Sequence, residues 1–279
     1  MKKIIVCGIV ALLSACSAFQ TTQTKQEHEK AFTRMYCAAA HQEIGVQALK
    51  SFKHDNDTYS EESMENYFLL SGMEVQHSVI HYHKATLRKP FDIFQYNDSQ
   101  NELGKNYTLE DLADEMGYKD AVIQARNEVR SKYHSLAKNS NPFIFDDIDA
   151  YIGEKCDDAL AEDDEELSTT LKNSPEANIT VAMAGQCVGF YNAMSTIAAE
   201  YKNDKVAINM AHHAGLMQAF MYAYISDNNA ELAYDRMSIA EDKVYDGKMN
   251  DADVSKQIED CSGVYRTANQ YVVETIVNK

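Results

Sequence analysis

The sequence predicts an all-α protein built from two tandem, degenerate four-helix units, each pinned by a disulfide between its first and fourth helices. Three observations carry this expectation. Met183, Cys187, Phe190, Met194, Ile197 and Tyr201 recur at spacings of four and three, laying one apolar seam along a helix with a cysteine inside it. Near the C-terminus Val254, Ile258, Cys261, Tyr265, Ala268, Val272 and Ile276 do the same. Both halves of the chain also carry one succession: a cysteine helix, a glycine-centred helix, a Leu-Ala helix and a second cysteine helix.

The first unit is expected over residues 25–172. Its first helix, 25–53, gathers Cys37, Ala40, Ile44, Ala48 and Phe52 on one face, and the polar run from His54 to Ser60 ends it. The second, 61–84, has Met64, Phe68, Gly72, Val75, Val79 and Tyr82 as its apolar stripe, with Pro90 barring continuation. A long irregular stretch, 85–107, follows, and loops of that length are uncommon inside bundles. Thr108 reads as the cap of a third helix that reaches about Lys138, with Gly117 as a break. Asn141-Pro142 is a cap-then-proline start for a fourth helix carrying Phe145, Ile148, Ile152, Cys156 and Ala159. An acidic tract at 157–166 and a polar linker, Ser168–Asn173, close the unit.

The second unit, 173–279, restarts with Ser174-Pro175-Glu176. Its first helix is expected from that start through 180–201, and the others at about 204–226, 229–246 (stopped by Gly247) and 251–277. Ser71-Gly72-Met73 then matches Ala214-Gly215-Leu216, and Leu112-Ala113 matches Leu232-Ala233.

Lys2 and Lys3, a short apolar run and small residues make the N-terminus a secretory signal rather than a spanning helix. Leu13-Ser14-Ala15-Cys16 resembles the lipobox of bacterial lipoproteins. The resemblance covers only this segment, and no family is recognised for the mature domain. It implies cleavage after residue 15, a lipid on Cys16 and a tether over 16–24. Ser17 in place of aspartate implies forwarding to the outer membrane, with the body facing the periplasm. Several acyl chains on one cysteine give a stable anchor.

Setting aside Cys7 in the signal and Cys16 on the lipid leaves Cys37, Cys156, Cys187 and Cys261. Four cysteines in an oxidising compartment read as two disulfides with three possible connectivities. The repeat selects Cys37–Cys156 and Cys187–Cys261. With Cys187 about twelve residues into its helix and Cys261 about sixteen from the end of its own, the two lie at heights of roughly 18 and 24 Å, close enough to meet.

The net charge of −17 argues against nucleic acid, whose phosphates require a basic surface. Thr108–Tyr118 resembles the start of a helix-turn-helix, but an exported acidic chain makes that a consequence of helix caps and leucine spacing. Glu74, His77 and His81 share one helical face, the Glu-x-x-His pattern of helical di-metal proteins. No second copy of the pattern exists, and with His83 the group reads as a solvated face opposite the apolar stripe. Cys37 and His41 lie one turn apart, a thiolate–imidazole spacing that disulfide pairing disables. His213 with Met210, Met217 and Met221 has soft-ligand chemistry but the spacing of core filling. The acidic tract lacks the glycine and alternating oxygens of a calcium loop. No hydrolase elbow, zinc-protease, phosphate-loop or haem motif is present.

The functional expectation is a non-enzymatic envelope lipoprotein. It needs no cofactor, and its helical surface binds a protein partner as an inhibitor, immunity factor or assembly accessory. The alternative is a metal-binding bundle using Glu74, His77 and His81.

Overall fold

Thr108, Asn203 and Asn250 cap the helices that follow them through their side chains, whereas Tyr118, Phe143 and Asn229 precede helices without a side-chain cap. The computed structural model describes residues 2–52, 61–87, 108–139, 143–172 and 177–277, without the side chains of 2–21, 52, 61–65, 157–164, 166, 170, 177–179, 276 and 277. Helix α1 (Lys2–Phe52) is continuous through 16–24, the expected tether, because that stretch has no glycine or proline and leads into Gln, Lys and Glu. The Cys16 side chain lies outside the described residues, and so do Pro90 with most of the 85–107 stretch, Asn141-Pro142 and Ser174-Pro175-Glu176. Helix α2 (Glu61–Thr86) follows. Helices α3 (Leu109–Met116) and α4 (Lys119–Lys138) part at Gly117, whose φ of 80° is left-handed. Thr108 and Asp111 cap α3 reciprocally.

Helix α5 (Ile144–Leu171) corrects the expected linker at 168–173. It runs on through the acidic tract because Leu167 and Leu171 continue the face of Ile148, Ile152 and Cys156 into the core. The second unit contains α6 (Ala177–Glu200), α7 (Asp204–Tyr224), α8 (Ala230–Tyr245) and α9 (Asp251–Val272), which ends in a π-helical turn, Val273–Val277. Among the described residues there is no strand, and no helix is long and apolar enough to cross a membrane.

The two units repeat one another in packing as well as in sequence. Helix α1 packs on α2, α4 and α5, and α6 packs on α7, α8 and α9. Cys37–Cys156 and Cys187–Cys261 join the first and last helix of each unit, with Cα–Cα separations of 5.8 and 5.6 Å. The closed loops span 119 and 74 residues, so chain-entropy reasoning assigns roughly 4–5 kcal/mol to each bridge.

The units are not beads on a string. Helices α2 and α7 cross at Gly72 and Gly215, the matched glycines of the repeat. A Cβ on Gly72 would lie 2.8 Å from Leu216 N and press on His212 O; one on Gly215 would lie 3.0 Å from Gly72 Cα and press on Leu69 O. The contact is reciprocal, since His212 and Leu69 each stand three residues before the matched glycine. Helix α5 reaches across to α7, and the turn after α9 reaches across to α2. Tyr265 Oη on α9 donates to Gln76 Oε1 on α2 at 2.8 Å, and Gln76 Nε2 donates to Asn269 Oδ1 at 3.3 Å. One continuous apolar core runs through both units.

This arrangement overturns two expectations. Helix α2, held between α1 and α7, is buried from Ser71 to His83 on every side, so Glu74, His77, His81 and His83 are not a solvated face. The α6 seam is wider and shorter than its spacing implied. Val181, Ala184, Val188 and Tyr191 are buried beside Cys187 and Phe190, whereas Met183 and Tyr201 are 44% and 81% exposed.

Candidate functional site

Two features differ between the copies of the repeat, and each places chemistry where the fold does not require it. The first is a buried polar seam between α1 and α2. Arg34 Nη1 donates to Glu74 Oε2 at 3.0 Å and to the Cys156 carbonyl at 3.3 Å, with Arg34 and Glu74 both essentially inaccessible. Two turns along, His81 Nδ1 lies 2.6 Å from Glu27 Oε2. Burial alone would push the Glu27 carboxyl up; the His81 hydrogen bond and charge, with Lys84 and Lys30, hold it below the usual carboxylate value. His41, one turn after Cys37, is buried with no hydrogen bond to Nδ1, and burial plus the Arg34 charge push its pKa down to about 4.

The second unit carries the same positions without the charge. Ala184 stands three before Cys187 as Arg34 stands three before Cys37. Tyr191 takes the place of His41, and Met217, two after Gly215, that of Glu74. Phe220 and Tyr224 stand at the places of His77 and His81. The backbone arrangement is therefore kept with an apolar interior, and the polar seam is an addition to it.

Glu74, His77 and His81 are brought to one buried face but do not converge on a shared centre: Arg34 holds Glu74 and Glu27 holds His81. Among the described residues, the group whose ligand atoms all lie within 4.8 Å of one another is Cys37, Glu74 and Cys156. His213 donates from Nδ1 to the Asn209 carbonyl at 2.7 Å and its ring lies 5.3 Å from that of Tyr191, while Met217 and Met221 fill core.

The second feature is a groove. In the first unit α4 leans on α5, and the space above α1 is closed by Tyr36, Glu128, Tyr151 and Lys155. Tyr36 Oη donates to Glu128 Oε2 at 2.6 Å, Lys155 Nζ lies 2.6 Å from the same oxygen, and the ammonium sits over both tyrosine rings. The Lys155 bond, then those of Tyr36 and Gln124, hold Glu128 at about 2. Burial and that carboxylate push Tyr36 up to about 12.

In the second unit the equivalent positions are Gln186, one before Cys187, and Lys256 and Asp260, five and one before Cys261. Two aromatic rings are gone, and α8 and α9 stand apart. Helix α8 instead lies tightly on α6, where a Cβ on Gly189 would come within 2.8 Å of the Met237 carbonyl carbon.

What remains is a cleft of about 350 Å³ between α6, α8 and α9, floored by Phe190, Ala240 and Met249. It adjoins a hollow of about 960 Å³ along α6 and α9 that reaches Cys187. The two share Gln186, Lys256, Gln257 and Asp260. Arg236, Lys243 and Lys256 line the cleft with no ion pair among the described residues, unusual in a chain with 43 acidic and 26 basic residues. Neither Arg34 and Glu27 nor the groove residues stand out by spacing; comparing the copies position by position is the signal that finds them.

Comparison with known proteins finds no matching family model, no matching curated protein and no matching solved structure.

Proposed function

We propose that this chain is a non-enzymatic lipoprotein of the cell envelope, anchored through Cys16, that binds a protein partner in the groove between α6, α8 and α9. The observation that carries the reading is the difference between the copies: one fold closes this space with its own side chains and the other leaves it open. An apolar floor ringed by side chains that fix orientation is the ordinary make-up of a binding cleft. On α8, Ile239 lines the cleft and Leu232, two turns earlier on the same face, is exposed as well.

The partner's chemistry follows from the charge. Arg236, Lys243 and Lys256 outweigh Asp253 and Asp260 in the same lining and favour an acidic segment with apolar side chains for the floor, and electrostatic complementarity of this kind sets specificity and on-rate. The rest of the strongly negative surface repels such a segment, so the groove is where it docks.

The reading is tested by placing a photo-crosslinking residue at Ile239 on α8 in living cells, and separately at Ile123 on α4, which is equally exposed. The expected result is one repeatable adduct from position 239 and none from 123, lost in Lys243→Glu/Lys256→Glu. Labelling of Cys16 with a fatty-acid probe, abolished by Cys16→Ser, checks the anchor. Equal adducts from both positions, or none, would contradict the binding role.

A further inference from the structure

We infer that the first unit contains a divalent-metal site, formed when Cys37 and Cys156 are thiolates and completed by Glu74 and His41. It is independent of the groove, and it uses a different ligand set from the Glu74, His77 and His81 face. The two sulfurs and the Glu74 carboxylate already lie within 4.8 Å of one another, all three residues buried. His41 follows Cys37 by one turn of α1, so the two side chains share a face. It is 3% exposed and its Nδ1 has no hydrogen bond.

Two thiolates, an imidazole and a carboxylate suit Zn²⁺ or its spectroscopic stand-in Co²⁺. Charge closes as well: two thiolates and Glu74 supply three negative charges, Arg34 one positive and the metal two. Arg34, bonded to Glu74 and to the Cys156 carbonyl, serves as the outer partner that orients the carboxylate. None of the non-cysteine members recurs in the second unit, where Ala184, Tyr191 and Met217 stand in their places.

The disulfide is the metal-free, oxidised state of the site. Reduction by a dithiol breaks the S–S bond and passes two electrons to the cysteine sulfurs. The donor becomes a disulfide, its two protons go to solvent, and the metal binds the thiolates. Oxidation by a disulfide-bearing oxidant reverses each change and releases M²⁺.

The test uses the whole soluble chain with Cys16→Ser, reduced in denaturant and diluted out with or without Co²⁺ or Zn²⁺. The expected result is one equivalent of Co²⁺ with a thiolate charge-transfer band, and greater helicity and thermal stability with metal than without. Cys37→Ser/Cys156→Ser, which spares the Arg34–Glu74 pair, is expected to lose the band. Glu74→Gln and His41→Ala are expected to weaken binding at least tenfold, while Cys187→Ser/Cys261→Ser keeps one equivalent. Absence of binding, failure of the metal to restore helicity to the reduced chain, or binding that survives Cys37→Ser/Cys156→Ser would overturn the inference.

Discussion

Gly72 on α2 and Gly215 on α7 touch backbone to backbone, each leaving the room that the other's helix occupies. Helices approach this closely only where a side chain is missing, and here both are missing at the same step of the repeat. The pair marks the local two-fold relation between the units.

Either Gly→Ala change at this crossing should therefore destabilise, although alanine is the better helix former. The added methyl meets backbone, which cannot rotate away. The expected net loss is about 2 kcal/mol or more, overpacking outweighing the roughly 1 kcal/mol of helix propensity. Gly263→Ala on α9, where nothing lies within 4 Å, should instead gain about 0.5–1 kcal/mol. Urea unfolding of the three variants checks both signs.

The Arg34–Glu74 pair should behave as a buried ion pair that the fold tolerates rather than needs. Arg34→Ala or Glu74→Met alone leaves an isolated charge in the core and should cost about 3–5 kcal/mol. The double variant installs the second unit's own residues, Ala184 and Met217. It should recover most of that loss, a coupling that a double-mutant cycle reads directly.

His212 should give the protein an acid-sensitive limb. Burial, and then the neighbouring His213, push its pKa down to about 3 from the ordinary imidazole value of about 6.5. Between those values the unfolded chain takes up a proton that the folded chain refuses. Its contribution is fully present above pH 6.5 and lost as the pH falls, at about 1.4 kcal/mol per unit. His212→Leu copies Leu69, the matched residue of the first unit. It should flatten the fall in stability between pH 6 and 4 by about that slope, measured by urea titrations at each pH.

The helix order, the Gly117 break and both disulfide pairings were legible from spacing and repetition, because each depends on residues close in sequence or on two copies agreeing. The burial of α2 was not. A seam of period 3.6 reveals one covered face, and α2 is covered on others as well: α7 lies against Gly72, while Arg34 of α1 and the Cys37–Cys156 bridge lie against Glu74. Leu167 and Leu171 were hidden for another reason: the polar residues around them read as a linker until the Cys156 face is extended past the acidic tract. The groove was illegible in a stronger sense, since it consists of rings that the second copy lacks. Tyr36 and Tyr151 have to be known to fill the space before Gln186 and Lys256 can be seen to open it.

The most direct test of the binding role is to close the groove with the first unit's own side chains. Gln186→Tyr/Lys256→Tyr restores the rings found at Tyr36 and Tyr151 without touching α8. The account predicts a chain at least as stable as the parent that no longer yields the adduct from position 239. A folded double variant that still captures the partner from that position at the parent's level would contradict it.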